Sequence, residues 1–538
     1  MRRVLATSLP LLGVLASAFA CGKAAEPPAP FAAASAPASI ASAPAPSASV
    51  AVAPSASVSI APSASAAPTA SGPFTTTTRY QAWIFEKPRL DATHVGWLHA
   101  GTRAKRAAEP VAGTGCTGKW YALEGGGFVC EGHDGVTNDL EDPTVKAVTS
   151  VQPDLKAPLP FGYATSLGAP MYTHVPNAAE QKQIEGDVAA HLANVEALRK
   201  KTDPAKLPPA SALPLLPMPS FLENRALPPN VVGWGLPKGA LTNGYAWNNL
   251  RVAVTSAFEV DGRAFYLTTE HLIVPADKMR AAKLADFAGV ELAAPGAEGP
   301  HLPMMWVRWK PAKVFEVDGA AVKETAETLQ FQAHASIAPK EKVIAGTRYF
   351  ELLDEPRKGK LVRAADVTRV DAATDLPYMV GPDDGWIEVS VLRQSLVLYR
   401  GKTPIFATLV STGADGVDDV ETTRSTPRGH FRLQSKHATW RMAGDEHPPW
   451  KEGDKPDPRY RIDDVPWVQY FHGGYALHAA FWHDSFGMPK SHGCINLSPR
   501  DALWLFGKTE PKLPEGWHGV YGGRAGIALG TTLVVKAY

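Results

Sequence analysis

His478-Ala479-Ala480-Phe481-Trp482-His483-Asp484-Ser485-Phe486-Gly487-Met488-Pro489-Lys490-Ser491-His492-Gly493-Cys494-Ile495-Asn496 is the stretch on which the reading of this chain turns. It places a cysteine directly after a glycine, with histidines at 478, 483 and 492 upstream. A cysteine nucleophile needs a base to generate thiolate, donors for a developing oxyanion, and a group that fixes the base. The glycine at 493 leaves the backbone beside Cys494 accessible, so nearby amides can face a reacting carbonyl. His478 lies far enough upstream to occupy a neighbouring strand that faces the cysteine. Spacing alone does not choose between His478, His483 and His492 as the base.

The same residues admit a metal reading. His472, His478, His483, His492 and Cys494 cluster in sequence, and imidazole with thiolate suits zinc. Their spacings match no compact zinc motif, and neither a metal nor a cofactor is expected.

Taken whole, the segment resembles the L,D-transpeptidase catalytic family (YkuD-like), whose signature is a His, a variable loop, then Ser/Thr-His-Gly-Cys-x-Asn/Arg. Ser491-His492-Gly493-Cys494-Ile495-Asn496 reproduces the second half, and His478 with Trp482 fits the first. Supporting marks lie upstream: Trp386-Ile387-Glu388-Val389, Leu396-Val397-Leu398-Tyr399 with a turn at Arg400-Gly401, Ser411-Thr412-Gly413, and Thr426-Pro427-Arg428-Gly429-His430-Phe431. The resemblance covers 384–538 and implies a mixed β-sandwich with short helices, one of them at 499–506.

By position, the resemblance makes Cys494 the nucleophile and His478 the general base, oriented through the backbone carbonyl of Ala479, where relatives often carry Ser. The amides of Gly493 and Cys494 would form the oxyanion hole. Ser491, His492 and Asn496 would shape the loop, and Trp482, Tyr475 and Trp467 would line a substrate groove. The implied substrate is a peptidoglycan stem peptide, cut before its terminal D-alanine through a thioester. The acceptor stays open: a second stem amine gives a cross-link, a protein lysine anchors a wall-bound protein, and water gives an L,D-carboxypeptidase. Papain-like enzymes place the cysteine before the histidine, the reverse of the order here. A non-catalytic wall-binding lipoprotein is the rival of another class, and the survival of both Cys494 and His478 speaks for the enzyme.

Between Phe431 and His478 runs a long polar stretch holding Trp440, Trp450, Trp467 and the acids Asp445, Glu446, Asp454, Asp457, Asp463 and Asp464. Long loops in compact domains are often lids, so this stretch reads as a lid or a groove wall, against a surface decoration.

Further upstream, Trp83-Ile84-Phe85, Val95-Gly96-Trp97-Leu98, Trp120-Tyr121-Ala122-Leu123 and Gly127-Phe128-Val129-Cys130 alternate with turns, as in a small β-barrel. The pattern resembles bacterial SH3-like cell-wall modules. In that resemblance Cys116 and Cys130 face each other across neighbouring strands, and an exported location permits a disulfide. Echoes of the pattern at Phe265-Tyr266-Leu267 with Ile273-Val274, and at Tyr349-Phe350-Glu351-Leu352 with Leu361-Val362, suggest further copies within 156–375. One helix interrupts this region: Asn177 and Glu180 form a capping box, and Ile184, Val188, Leu192, Val195 and Leu198 follow at helical spacing as a core-facing stripe. The Pro-rich stretch at 204–219 reads as a linker or strap.

At the start of the chain, Arg2 and Arg3 precede an apolar run from Val4 to Ala20, too short for a comfortable membrane span. It ends Ala18-Phe19-Ala20-Cys21. Ala-x-Ala fits signal peptidase cleavage, and the approach to Cys resembles a bacterial lipobox, with Ala18 where Leu is usual. The tether that follows favours lipidation of Cys21 and thus a membrane anchor. That tether is almost wholly Ala, Pro and Ser, with ten prolines between Glu26 and Pro73. Such a composition cannot offset the entropy of ordering itself, and at roughly 3 Å per residue it could reach well over 100 Å.

The whole is therefore expected to be multidomain and mainly β. Its parts are a signal peptide (1–20), a tether (21–78), an SH3-like module (79–135), a middle α+β region (156–375) and an L,D-transpeptidase-like catalytic domain (384–538). Across 538 residues, 54 Lys+Arg meet 53 Asp+Glu, which argues against a nucleic-acid partner. Four cysteines are too few for a disulfide scaffold, and the expected location is the cell envelope, in the periplasm.

Overall fold

The computed structural model describes residues 73–149, 152–201, 213–228, 239–443 and 461–538. The signal peptide, Cys21 and nearly all of the tether lie outside these residues, as do Trp450, Asp445, Glu446, Asp454 and Asp457. Among the described residues no helix is long and apolar enough to cross a membrane.

The carboxy-terminal segment is a two-layer arrangement, as its alternating apolar runs require. One layer is a six-stranded mixed sheet. Its order is Val290–Glu291, Thr403–Leu409, Ser395–Arg400, Gly385–Ser390, Thr532–Lys536 and Gly429–Arg432. The pair Gly385–Ser390 and Thr532–Lys536 runs parallel, the other pairs antiparallel. The facing layer holds Ser435–Ala443, Arg461–His472, Tyr475–Ala479 and Ile495–Leu497, the last two parallel to each other. Ile387, Val389, Leu396 and Leu398 from the first layer meet Phe471, Leu477, Ala479, Ile495 and Leu497 from the second in one core.

Helix Pro499–Lys508 closes this core with Ala502, Leu505 and Phe506, and runs two residues past its expected end. Ser498 caps its start by accepting from the Asp501 amide at 3.2 Å, with proline in the first turn where no amide is needed. Its other end is held by a fully buried lysine. Lys436 Nζ donates to Phe506 O at 2.6 Å and Thr509 O at 3.0 Å, placing a donor against the carbonyls that every helix leaves unpaired.

The stretch from 431 to 478 is mostly sheet, contrary to the expected long loop. Strands Ser435–Ala443 and Arg461–His472 pair closely, and residues 444–460 between them lie outside the described residues. Two acids assigned to its polar surface, Asp463 and Asp464, are buried. Trp467 also turns inward, for a reason given below.

Upstream, one local plan occurs three times. A first strand is followed later by a hairpin, a 3₁₀ turn, and a short strand that returns antiparallel to the first. In the first unit these are Phe74–Thr77, the hairpin Trp120–Ala122 with Phe128–Cys130, the turn His133–Gly135, and Val136–Thr137. In the second they are Gly162–Ser166, Arg263–Thr268 with Ile273–Pro275, Ala276–Lys278, and Met279–Ala281. In the third they are Met304–Trp306, Thr347–Glu351 with Leu361–Arg363, Ala364–Asp366, and Thr368–Val370. All three aromatic echoes in the sequence fall on the hairpin of such a unit.

Cys116 and Cys130 are joined by a disulfide, with Cα atoms 5.7 Å apart. Only Cys130 sits on a strand. Cys116 lies in the loop before Trp120–Ala122, so the bridge ties a loop to a strand rather than two neighbouring strands.

The expected single helix is two. Ala178–Glu185 begins at the Asn177/Glu180 capping box and ends at Gly186, whose φ is +79°, and Val188–Lys201 restarts beyond it. Its apolar stripe is only half-buried, and Leu198 is 63% exposed. What binds the first helix is charge: Arg263, itself buried, pairs with Glu185 at 2.8 Å and Asp277 at 2.9 Å. The surrounding donors hold the Glu185 carboxyl down at about 2 against the upward push of burial.

Each unit shares a core with the carboxy-terminal segment. Trp517 and Val520 pack among Ile84, Val95 and Leu98 of the first unit. Ile462, Val465 and Phe481 pack with Phe161, Tyr163 and Ala253 of the second. Trp386, Leu409 and Phe486 pack with Met304, Trp306 and Val370 around the third. Strand pairing crosses as well: His94–His99 pairs with Gly519–Tyr521, and Arg251–Val260 with Arg461–His472. Gly519 permits the first contact, since a Cβ there would stand 2.0 Å from Trp97 Nε1.

Candidate active site

Strand Tyr475–Ala479 carries His478, and strand Ile495–Leu497 begins directly after Cys494. They run parallel, with His478 opposite Asn496. Because residues paired in register share a face, His478 and Asn496 lie on the same face of the sheet, and Cys494 immediately precedes the strand that carries Asn496. Cys494 is the one free cysteine among the described residues, 7% exposed, and His478 is 3% exposed.

His478 Nδ1 lies 2.9 Å from the carbonyl oxygen of Ala479. A carbonyl only accepts, so Nδ1 carries the proton and Nε2 is left with its lone pair, the tautomer a base requires. The contact uses the backbone of Ala479, so it does not depend on a side-chain hydroxyl at that position.

The other two histidines are placed differently. His483 Nδ1 accepts from the Ser485 amide at 3.2 Å, which puts its proton on Nε2, 3.1 Å from the Asn496 amide group. With the Asn496 amide turned so that Oδ1 faces Nε2, this otherwise unpartnered buried oxygen accepts the proton. Burial first, then Lys490, His478 and Arg251, lower His483 to about 3. His483 thus serves Asn496 and the loop. His492 points to the exposed side, with its pKa lowered chiefly by partial burial.

The cysteine loop is held from within and from beside. Ser491 Oγ donates to Cys494 O and accepts from the Gly493 amide at 3.1 Å. The Gly493 amide is thus turned to Ser491. Gly493 has φ +120°, and a Cβ there would meet Tyr475 Cε1 at 2.4 Å, so both backbone and space demand glycine. Ser411-Thr412-Gly413 runs alongside: Ser411 bridges to Asn496, Gly413 to Ser491, and Thr426 Oγ accepts from the Gly413 amide at 2.9 Å. The two upstream marks in the sequence are thus the supports of the loop.

Burial pushes the Cys494 thiol up to about 11, the Ala476 amide drawing it partly back. Its Sγ sits 3.8 Å from Gly474 O. Of the three groove residues, Tyr475 abuts the loop, and its phenol is raised by burial and by Cys494. Trp482 lies beside His478, ring centroids 5.8 Å apart. Trp467 is no groove residue. It is 2% exposed, donates to Pro158 O at 2.8 Å and packs edge-on against Phe506 beneath the last helix.

One neighbour of the site had no signal in the sequence. Arg251, from the second upstream unit, stands over the Trp482 ring at 5.3 Å. It lies at the start of an ordinary strand, and only the docking of that unit brings it here.

In this two-layer mixed sheet His478 lies on one strand and Cys494 leads into its parallel neighbour, and residues 384–535 match the family model of the L,D-transpeptidase catalytic domain, YkuD. Among individual proteins, the chain is 26% identical over 132 residues to a putative L,D-transpeptidase, YciB, of Bacillus subtilis, covering 22% of this chain and 59% of that protein. The catalytic domain of an L,D-transpeptidase from E. faecium is 23% identical, with 30% of this chain and all of that one covered and a TM-score of 0.20. An L,D-transpeptidase from Stackebrandtia nassauensis is 20% identical, covering 29% of this chain and 58% of that one, with a TM-score of 0.20.

Proposed function

We propose that this protein is an exported peptidoglycan L,D-transpeptidase, with Cys494 as nucleophile and His478 as base. The observation that carries the reading is the His478–Ala479 carbonyl contact, which puts the neutral ring's proton on Nδ1, on a strand whose parallel neighbour Cys494 leads into. Burial favours the neutral thiol, so attack is read as coupled to proton loss to His478 Nε2. Sγ adds to the carbonyl of the diamino residue before the terminal D-alanine, with the Cys494 amide facing the oxyanion. The imidazolium returns its proton to the departing D-alanine amine, leaving a thioester. His478 then deprotonates the acceptor amine, which expels the thiol and forms the new amide.

The three upstream units are read as SH3-like modules facing the wall, and Cys21 with the tether as the lipid anchor to a membrane. Wall muropeptides from cells making the protein, compared with cells making Cys494→Ala, test the activity. New cross-links, tetrapeptides or protein-linked stems are expected only with the intact cysteine, and the product found identifies the acceptor. Unchanged muropeptides in both would sink the reading.

A further inference from the structure

A cavity of about 910 Å³ lies beside the catalytic strands, between Ser435–Ala443, the turn at Gly473-Gly474 and the segment after Gly519–Tyr521. Its walls are the rings of Trp440, Tyr470 and Tyr521 around His437 at the floor. His437 lies 4.5 Å from Trp440, 5.8 Å from Tyr470 and 5.7 Å from Tyr521, measured between ring centroids. Arg432 and Arg524 stand at its edges, and no carboxylate lines it among the described residues.

Two features give the cavity direction. At one end Gly474 lines it, and the carbonyl of that residue is 3.8 Å from Cys494 Sγ. At the other end Arg524 lies over Tyr521 at 5.3 Å and donates to His94 O at 2.9 Å. His94 belongs to the first upstream unit and stacks flat on Trp83 at 4.3 Å, 10° from parallel. Aromatic rings therefore line the cavity from beside Gly474, half-buried apart from the His437 floor, and Arg524 ties its far edge to the first unit, where the half-buried Trp83–His94 stack lies.

We propose that this track is a saccharide-binding subsite for a linear chain of N-acetylated amino sugars, the glycan from which a stem peptide hangs. The proposal rests on the peptidoglycan reading above. Flat pyranose rings place C–H faces on aromatic rings and leave hydroxyls for the rim, and amphipathic rings such as Tyr and Trp suit a ligand of that kind. An extended row of rings fits a linear polymer better than a compact peptide. A sugar bound here would hold its stem one peptide width from Cys494, which raises the local concentration of substrate at the thiol.

The test is binding of a peptide-free β-1,4-linked N-acetylglucosamine tetramer to the whole protein, followed by tryptophan fluorescence and by NMR contacts to the sugar. Saturable binding is expected, with sugar contacts at Trp440 and Tyr521, about tenfold weakening in Tyr521→Ala, and near-native binding in Tyr521→Phe. Binding in Cys494→Ala should be unchanged. Absence of saturable binding, contacts that fall elsewhere, or equal affinity in Tyr521→Ala would overturn the proposal, as would displacement of the tetramer by a free stem tetrapeptide. Sugar binding needs no turnover, so an inactive protein that binds the tetramer refutes the enzyme reading alone. An active one that ignores it refutes the subsite alone.

Discussion

Cys494 reads from its neighbours as a thiol kept protonated until it reacts. Its burial lifts the pKa to about 11, well above an ordinary cysteine. Alkylation by iodoacetamide in the ligand-free protein should therefore keep rising with pH past about 8.5, by about tenfold per unit, without levelling there. Intact-mass kinetics across that range checks it, and a plateau near neutral pH would show a preformed thiolate instead. Gly493 makes a second residue-scale demand. Gly493→Ala must adopt φ +120° and push a methyl into Tyr475. The expected result is a loss of activity with the fold destabilised by about 1–3 kcal/mol, read by urea unfolding. Adding Tyr475→Ala should not restore it, because the backbone strain remains.

At the scale of elements, helix Pro499–Lys508 shows how much of a boundary lies in distant residues. Its start was legible, since Ser498, Pro499 and Asp501 stand together in sequence. Its end depends on Lys436, more than sixty residues away, whose ammonium reaches the last carbonyls from inside the core. Lys436→Met keeps the stem and removes the donor, and should cost about 1–2 kcal/mol in the urea midpoint. An unchanged midpoint would mean that Thr509 and Lys512, which also reach these carbonyls, suffice. The stretch from 431 to 478 teaches the converse. Its prolines and acids read as a polar loop, yet Asp464 is buried because Tyr80, Thr269 and Thr439 donate to it at 2.8, 2.6 and 2.7 Å. Three hydroxyls from three distant segments satisfy one carboxylate, and no local pattern announces that.

Across the whole molecule, the junction between the upstream units and the catalytic segment is rich in buried histidines. His99, His271, His437 and His518 are all lowered by burial, His271 to about 4 and His437 to about 3. Between these values and 6.5 the unfolded chain holds more protons than the folded one. Their contribution is therefore full above pH 6.5 and is lost as pH falls, each by up to about 1.4 kcal/mol per unit. Asp463, pushed up to about 7, and Asp501, to about 6, act in the opposite sense, since there the folded state holds the extra proton. Histidines outnumber them, so urea unfolding should shift to lower midpoints from about pH 7 to about pH 5. A midpoint that rises over this range would refute the balance.

The sequence by itself determined the local chemistry: the loop from Ser491 to Asn496, His478 as the candidate base, and the hairpins of the upstream units. These are legible because they depend on residues close in sequence, on turns and on period-two strands. It could not decide what those parts face. Trp467 and Trp482 are the same residue type fifteen positions apart, yet one packs beneath a helix and the other beside His478. Nor could it show that Arg251 reaches the site, that Gly519 admits Trp97, or that three units share their cores with the catalytic sheets. Those outcomes are set by burial between segments hundreds of residues apart, where complementary surfaces, rather than neighbouring residues, fix which side chain turns inward.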